Sequence, residues 1–366
     1  MVDNTLLSDI RGDYKMLKNF EYVIKLFEVI KECPRLGDDY GIFFVYNSPR
    51  TMQDTRHLSE CILEEELNMI LTSFRKVAQH VYAIDGEEEF IRSIPKYKKS
   101  FKYLLVYSMA QNLNGDGRRS LVPLLCDYYG LINIGANFIS TVMGRSKDIM
   151  YSILKPKGFI FPKTYYIYND TDVDMFLHFI RNGRWLLKPN NESSSIGMQV
   201  HDFSQYSDSK LRSLLIEYHK AYPVYCIQEF IEGEEVAVPI LKIKTGYYCP
   251  GVSQVKFPQG KNYIDYDMVE LETYSYFEYD GNLKEKMFEI SANVAKTLKL
   301  TAMSRIDFRI RNNIPYIEDI GANPTISTNN GVNQLYCTHL QAEPDCVYAI
   351  LVYTALIEHD LFKPTF

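Results

Sequence analysis

The sequence predicts an α/β chain of more than one domain, with a parallel sheet near the N-terminus and a larger mixed α+β unit after it. Three observations carry this prediction. Tyr40–Tyr46 is a short, fully apolar run bounded by turn residues, the pattern of a buried strand. Strand-like and helix-like stretches then alternate, which favours a parallel sheet covered by helices on both faces. Two strand-like segments, 303–310 and 314–319, follow a long helical stretch. A chain of 366 residues can bury the cores of two or three such domains.

The elements follow in order. Residues 14–32 read as a helix, with Leu17, Phe20, Ile24 and Phe27 on one face and Pro34 ending it. It is either a packing helix, the preferred reading, or a partner surface. A helix from Leu58 to Ala78, strands at Val81–Ile84 and Tyr103–Tyr107, and a helix at Leu121–Tyr129 complete a first domain placed at 36–135. Residues 140–157 read as one helix with Pro162 beyond its exit. Thr164–Tyr168, a helix near 171–181 and Arg184–Lys188 form a small mixed unit. Three strand-like runs lie within 224–250, a helix spans 282–298, and 339–359 reads as one long helix. This divides the chain into a helical extension (1–35), the first domain (36–135) and a unit at 136–366. The last splits into a small lobe (145–230) and a large lobe (231–366).

Composition narrows the function. Hydrophobic residues make up 46% and charged residues 23%, with a net charge of -6. A surface built for nucleic acid is basic, so that partner is excluded, although a local basic pocket for a nucleotide is not. The seven cysteines form no CxxC pair, which suits reduced thiols in the cytoplasm. The acidic first residues lack the apolar core of a signal peptide, and no apolar run reaches the ~20 residues of a membrane span.

Three segments carry chemistry. Lys188-Pro-Asn-Asn-Glu-Ser-Ser-Ser-Ile-Gly197 follows a strand. Its small polar residues can surround phosphate oxygens while Lys188 supplies charge, although a solvated turn reads the same way. Gln228-Glu-Phe-Ile-Glu-Gly-Glu-Glu235 leads into an apolar strand. It suits a flat base and a ribose, or equally an exposed acidic hairpin. Alternation puts Arg305 and Asp307 of Ser304–Phe308 on one face, with Asp319 of the next strand within reach. Converging carboxylates suit Mg²⁺ and an arginine suits developing negative charge, although a surface ion pair between Arg305 and Asp319 is the plainer alternative.

In this order and spacing the segments resemble the ATP-grasp fold, and within it D-alanine–D-alanine ligase and its relatives, over residues 40–335. The phosphate-loop pattern is met by Lys188, Pro189, Glu192, Ser194, Ser195 and Gly197, and the earlier ATP-contacting lysine by Lys147. The adenine hinge is met by Ile231, Gly233 and the ribose-binding Glu235, with Gln228 in place of a glutamate, and the catalytic Arg-x-Asp by Arg305 and Asp307. The resemblance implies a Rossmann-like domain ahead of an ATP-grasp domain, and ATP and Mg²⁺ as cofactors. ATP is then held by Lys147, Lys188, Ser193, Ser194, Ser195, Gln228, Glu229, Phe230, Ile231 and Glu235. The metal falls to Asp307, Asp319 and Glu318, and catalysis to Arg305, Ser194 and Lys188. It further implies small-molecule carboxylate and amine partners and a homodimer.

The departures fall at the substrate end. Thr55 stands where the family's amino-end glutamate falls, Ala110 where its histidine falls and Gly115 where a second glutamate falls. The Lys-Tyr pair of its flexible loop falls near Val269 and Glu270, although Asp265, Tyr266 and Asp267 keep part of that loop. Gly321 replaces the metal-binding asparagine, for which Glu318 or Asn323 is the candidate substitute. The expectation is therefore an ATP-dependent carboxylate–amine ligase acting through an acyl phosphate on an amino acid or peptide other than D-alanine. D-alanine–D-alanine ligation and a non-catalytic nucleotide-binding module are the alternatives. Ser48, Arg56, Ser59 and Asp116 are candidates for an acceptor pocket, with turn and cap chemistry as their plainer role.

Overall fold

The computed structural model describes residues 20–365, apart from 114, 116, 181, 245, 325 and 327–330. Leu17 and Asp116 lie outside the described residues, as do the side chains of Thr55, Ser59 and Glu270.

The first sheet contains β1 (Leu36–Tyr46), β2 (Ala78–Asp85), β3 (Tyr103–Ser108) and β4 (Ile132–Asn133), in the order β2-β1-β3-β4. Every pairing in it is parallel. Period-two alternation sends Phe43 and Val45 to one face and Ile42, Phe44 and Tyr46 to the other. The first face packs under α3 (Glu87–Ser100) and α4 (Leu121–Tyr129). The second packs under α2 (Glu64–Val77) and, from far along the chain, α12 (Cys346–Glu358). The second half of β1, Gly41–Tyr46, is buried and apolar, as two covered faces require, whereas the strand also runs back through exposed Asp38 and Asp39.

The N-terminal helix α1 (Phe20–Lys31) closes the same core. Val23, Leu26, Phe27 and Ile30 are buried, and Tyr22 stacks on Tyr248 with ring centroids 4.0 Å apart. The sequence reading put Ile24 on the inner face, but it is 39% exposed. The buried stripe is rotated because α1 lies between two neighbours, α12 and the strand that carries Tyr248.

Three other helical expectations change. The stretch 58–78 contains a 3₁₀ turn, Thr55–Glu60, before α2 begins at Glu64. The stretch 140–157 is broken into α5 (Phe138–Met143) and α6 (Lys147–Leu154) where the backbone turns extended at Ser146 (φ -101°, ψ 90°), and nearby Gly144 abuts Ala322 closely enough to leave no room for a Cβ. The tail 339–359 is two helices, α11 (Gly331–Leu340) and α12, separated by a turn around Gln341, which has φ +49°.

The rest forms two antiparallel sheets. The smaller has the order β5-β8-β6-β7: β5 (Thr164–Ile167), β6 (Arg184–Pro189), β7 (Gln199–Asp202) and β8 (Tyr225–Glu229). It is backed by α7 (Asp170–Phe179), which Asn169 and Asp172 start with a reciprocal capping box, and by α8 (Asp208–Ala221). The larger runs β12-β11-β9-β13-β14: β9 (Glu234–Ile243), β11 (Ser253–Lys256), β12 (Ser275–Glu278), β13 (Met303–Arg311) and β14 (Ile314–Gly321). A short strand, β10 (Gly246–Tyr248), pairs with β9, and α10 (Lys284–Leu298) covers the sheet. The two sheets face each other across a cleft. None of the cysteines is in a disulfide. Among the described residues no helix is long and apolar enough to cross a membrane.

Candidate active site

The cleft between the sheets has a volume of about 220 Å³ and is lined from both sides. Lys188 reaches it from β6, Lys147 from the start of α6, and the Ser193–Ser195 loop from the turn after β6. Ser194 and Ser195 hold left-handed backbone (φ +53° and +56°), and the loop ends on Gly197 at φ +71°. Successive residues of this kind turn their N–H groups to one side, the geometry that receives an anion. The Ser195 hydroxyl donates to the Ile264 carbonyl (3.0 Å), so the segment before α9 (Tyr266–Glu270) folds over the loop.

The opposite wall is β13 and β14. Alternation along β13 turns Arg305, Asp307 and Arg309 into the cleft. Arg305 and Asp307 form a two-pronged ion pair, with both N···O distances 2.7 Å. The plainer expectation, an Arg305–Asp319 pair, is therefore replaced by a pair within one strand. Asp307 sits opposite Asp319, and the register then slips so that Phe308 faces Ile317. Glu318 is the extra residue of this bulge. Regular alternation would turn consecutive residues to opposite faces, but the bulge brings both Glu318 and Asp319 into the cleft.

The charges are interlocked. Burial lowers the Lys147 ammonium, and its Nζ donates to the Glu192 carbonyl at 2.6 Å. Burial opposes the charge on Lys188, but Glu318 and Asp319 raise it above the usual lysine range. Asp319, pushed up by burial, is held below the usual range by Lys147 and Lys188. Burial raises Asp307 despite Arg305. Arg309, 1% exposed, donates to Glu235 (2.5 Å) and to Glu318 (3.0 Å). Burial pushes the Glu235 carboxyl up to about 8 against the pull of that guanidinium. Arg309 was missed in the sequence reading. The signal for it was the alternation that picks out Arg305 and Asp307, carried two residues further.

The hinge residues divide. Gln228 is buried, its Nε2 donates to Thr164, and its Oε1 lacks a partner among the described residues. That atom belongs to a small cavity lined also by Lys147, Lys188, Met150, Tyr166 and Ile320. Phe230 and Ile231 are buried behind the cleft wall, and the guanidinium of Arg184 lies 4.1 Å from the Phe230 ring. The Glu229 side chain turns away from the cleft to Arg311 (2.8 Å). The Glu229 backbone N–H is also taken, donating to the Lys163 carbonyl at 2.8 Å.

A nucleotide fits these residues. The orphaned Gln228 acceptor suits an exocyclic amine, Glu235 suits ribose hydroxyls, and the two lysines and the serine loop suit phosphates. Among the described residues no group of three metal-binding side chains is preassembled. Mg²⁺ arriving on phosphates would ask for only one or two carboxylates, and the opposed Asp307 and Asp319 are the pair that would hold it. Asn323 lines the cleft beside Gly321, whereas Glu318 is held by Lys188 (3.5 Å) and Arg309.

Of the candidates in the first domain, Ser48 is spent on a turn, donating to Asp85 at 2.6 Å, and Arg56 pairs with Asp54. Instead, His57, Glu60, Gln111, Arg118, Arg119 and Arg145 gather beside the phosphate loop. Glu60 and Ser193 are hydrogen-bonded.

Comparison with known proteins agrees with this geometry. The family described as D-ala D-ala ligase C-terminus matches residues 184–337. The D-alanine–D-alanine ligase of Aquifex aeolicus is 23% identical over 281 residues, covering 72% of this chain and 89% of that one. The corresponding ligase of Pseudothermotoga lettingae is 25% identical over 263 residues, with coverage of 70% and 82%. The D-alanine–D-alanine ligase of Bacillus anthracis complexed with ATP superposes with a TM-score of 0.64 at 16% identity, covering 88% and 98%. The D-Ala:D-Ser ligase of Enterococcus faecalis gives 0.61 at 14%, covering 88% and 100%. The fold is that of the ATP-grasp ligases, and residues 184–337 resemble the C-terminal part of D-alanine–D-alanine ligases. Within that class the chain is related to the D-alanine–D-alanine ligases.

Proposed function

We propose that this ligase uses Mg-ATP to activate a substrate carboxylate as an acyl phosphate, which an amine then captures to form an amide. The observation that carries the reading is the convergence of Lys147, Lys188, Asp307 and Asp319, drawn from α6 and both sheets, on one cleft. When bound, ATP would supply the phosphoryl group and Mg²⁺ would supply positive charge against its phosphates. The chain's own residues do the rest by positioning and neutralisation. Lys147 and Lys188 draw the phosphates between the sheets, and the Ser193–Ser195 loop, tied to Ile264, excludes water. Arg305, fixed by Asp307, faces the cleft where negative charge develops on the acyl oxygen. The free thiols suit a cytoplasmic setting.

The relatives are D-alanine–D-alanine ligases by name, and this favours D-alanine as the reference substrate over the reading drawn from Thr55, Ala110 and Gly115. The test is ADP release from Mg-ATP with D-alanine and with a panel of single and paired amino acids, using Asp307→Asn as control. Pair-dependent release in the native chain, reduced at least 100-fold in the variant, is expected. ATP binding without release for any pair would refute the ligase reading.

A further inference from the structure

The loops that leave the C-terminal ends of β1 and β3 gather an uneven set of charges. These strands are neighbours at the point where the chain turns to opposite sides of the sheet, and open parallel sheets bind ligands at such points. Arg118 and Arg119 come from the loop after β3, and Arg145 from the break between α5 and α6. Each is less than one-tenth exposed. Two carboxylates answer them. Glu60 lies 2.7 Å from Arg118, 3.5 Å from Arg119 and 3.7 Å from Arg145. Glu192 lies 3.0 Å from Arg118 and 3.2 Å from His57. Asp54 is taken by Arg56 at 2.6 Å. Among the described residues, three buried guanidiniums therefore share two carboxylates, and one positive charge is left over.

Gln111 gives a second, independent observation. Its Oε1 accepts from Arg118 (3.2 Å), Arg119 (3.0 Å) and Arg145 (3.4 Å), so a neutral amide occupies the point where three cations meet. Its amide nitrogen is buried without a partner among the described residues. A glutamate of the same shape would neutralise the surplus and replace the stranded donor with an acceptor. The surplus charge also has access to ligand. Arg119 and Arg145 line the main cleft next to Ser193. Gln111, Arg118, Arg56 and His57 line a second cavity of about 230 Å³, and Glu192 borders both spaces. Burial and the neighbouring Arg119 pull the Arg145 guanidinium down to about 9, a strain that a bound anion relieves.

We propose that this cluster receives a second carboxylate on the substrate being activated, so that the donor is an acidic amino acid or a short peptide with a spare carboxylate. The reacting carboxylate lies toward Lys188 and Arg305, and the second reaches Arg119 and Arg145. The proposal rests on the ligase reading alone and departs from D-alanine at the donor, giving it a charge that alanine lacks.

The test titrates the full chain, with Mg²⁺ and a non-hydrolysable ATP analogue, with aspartate, glutamate and alanine of both hands. One charge-assisted contact predicts roughly tenfold tighter binding of an acidic amino acid than of alanine. Gln111→Glu is expected to raise Tm and bring that ratio close to one. Arg119→Met is expected to lower the ratio without the gain in Tm. Equal binding of alanine and the acidic amino acids overturns the proposal. So does a Gln111→Glu chain that is more stable yet keeps the preference, because the surplus charge is then structural. An increase in KM for ATP in place of a lost acid preference also overturns it, because the arginines then serve nucleotide phosphates. ADP release keeps the two readings apart. Alanine turnover without acid preference leaves the ligase standing and this proposal refuted. Acid preference without turnover of any pair does the reverse.

Discussion

Replacing Arg309 with methionine should cost more than its distance from the reacting atoms suggests. The guanidinium is buried against Glu235 at 2.5 Å and Glu318 at 3.0 Å, and also donates to the Asn262 carbonyl at 2.7 Å. Methionine fills most of the space but leaves two buried carboxylates without this cation. Removing one partner of a buried ion pair typically costs about 3–5 kcal/mol. An unfolding entropy of ~2.1 cal/mol/K per residue over 366 residues converts this to a fall in Tm of roughly 4–7 °C. The deficit should depend on pH with a definite sign. Glu235 is already raised from 4.5 to about 8, so its contribution to stability is present at low pH and is lost as pH rises through that window. Glu318, which burial pushes up, is held low by Lys188 and Arg309, so without the arginine it too moves up. The variant should therefore lose little at pH 5.5 and most at pH 8. Calorimetry or thermal circular dichroism at the two pH values reads this directly. An equal deficit at both, or one of less than about 1 °C, would refute the view that Arg309 lowers the cost of ionising these two carboxylates.

Two further outcomes follow from backbone and packing. Gly197→Ala places a Cβ 2.4 Å from the Tyr222 hydroxyl and 2.8 Å from Pro189 at φ +71°. It should cost about 1–2 kcal/mol and raise KM for ATP about tenfold by displacing the serine loop; an unchanged KM would show that the loop does not close on phosphate. Leu26→Ala empties a fully buried site on α1. It should lower Tm by roughly 3–6 °C, and a change within 1 °C would show that α1 is not part of the cooperative core.

The sequence alone determined the parts whose signals are local. The second half of β1 was legible because both of its faces are covered, which makes that run apolar. The Lys188–Gly197 segment was legible as a loop because a run of small polar residues ending in glycine follows a strand. Arg305 and Asp307 were legible because a strand repeats every two residues. The tertiary structure decided what depends on neighbours far along the chain. Ile24 faces out and Val23 faces in because α12 and Tyr248 close on α1 from two sides. The stretch 140–157 is two helices, and beside the break Gly144 packs on Ala322 from far along the chain. Glu318 joins Asp319 in the cleft only because β14 bulges against β13, a slip of register that leaves no mark in the residues themselves. The arginine cluster shows the same division. Nothing in the sequence marks Arg118, Arg119 and Arg145 as a group. Only the close approach of three loops to Gln111 makes them a buried site, because burial turns charges that water would screen into charges that must find a partner.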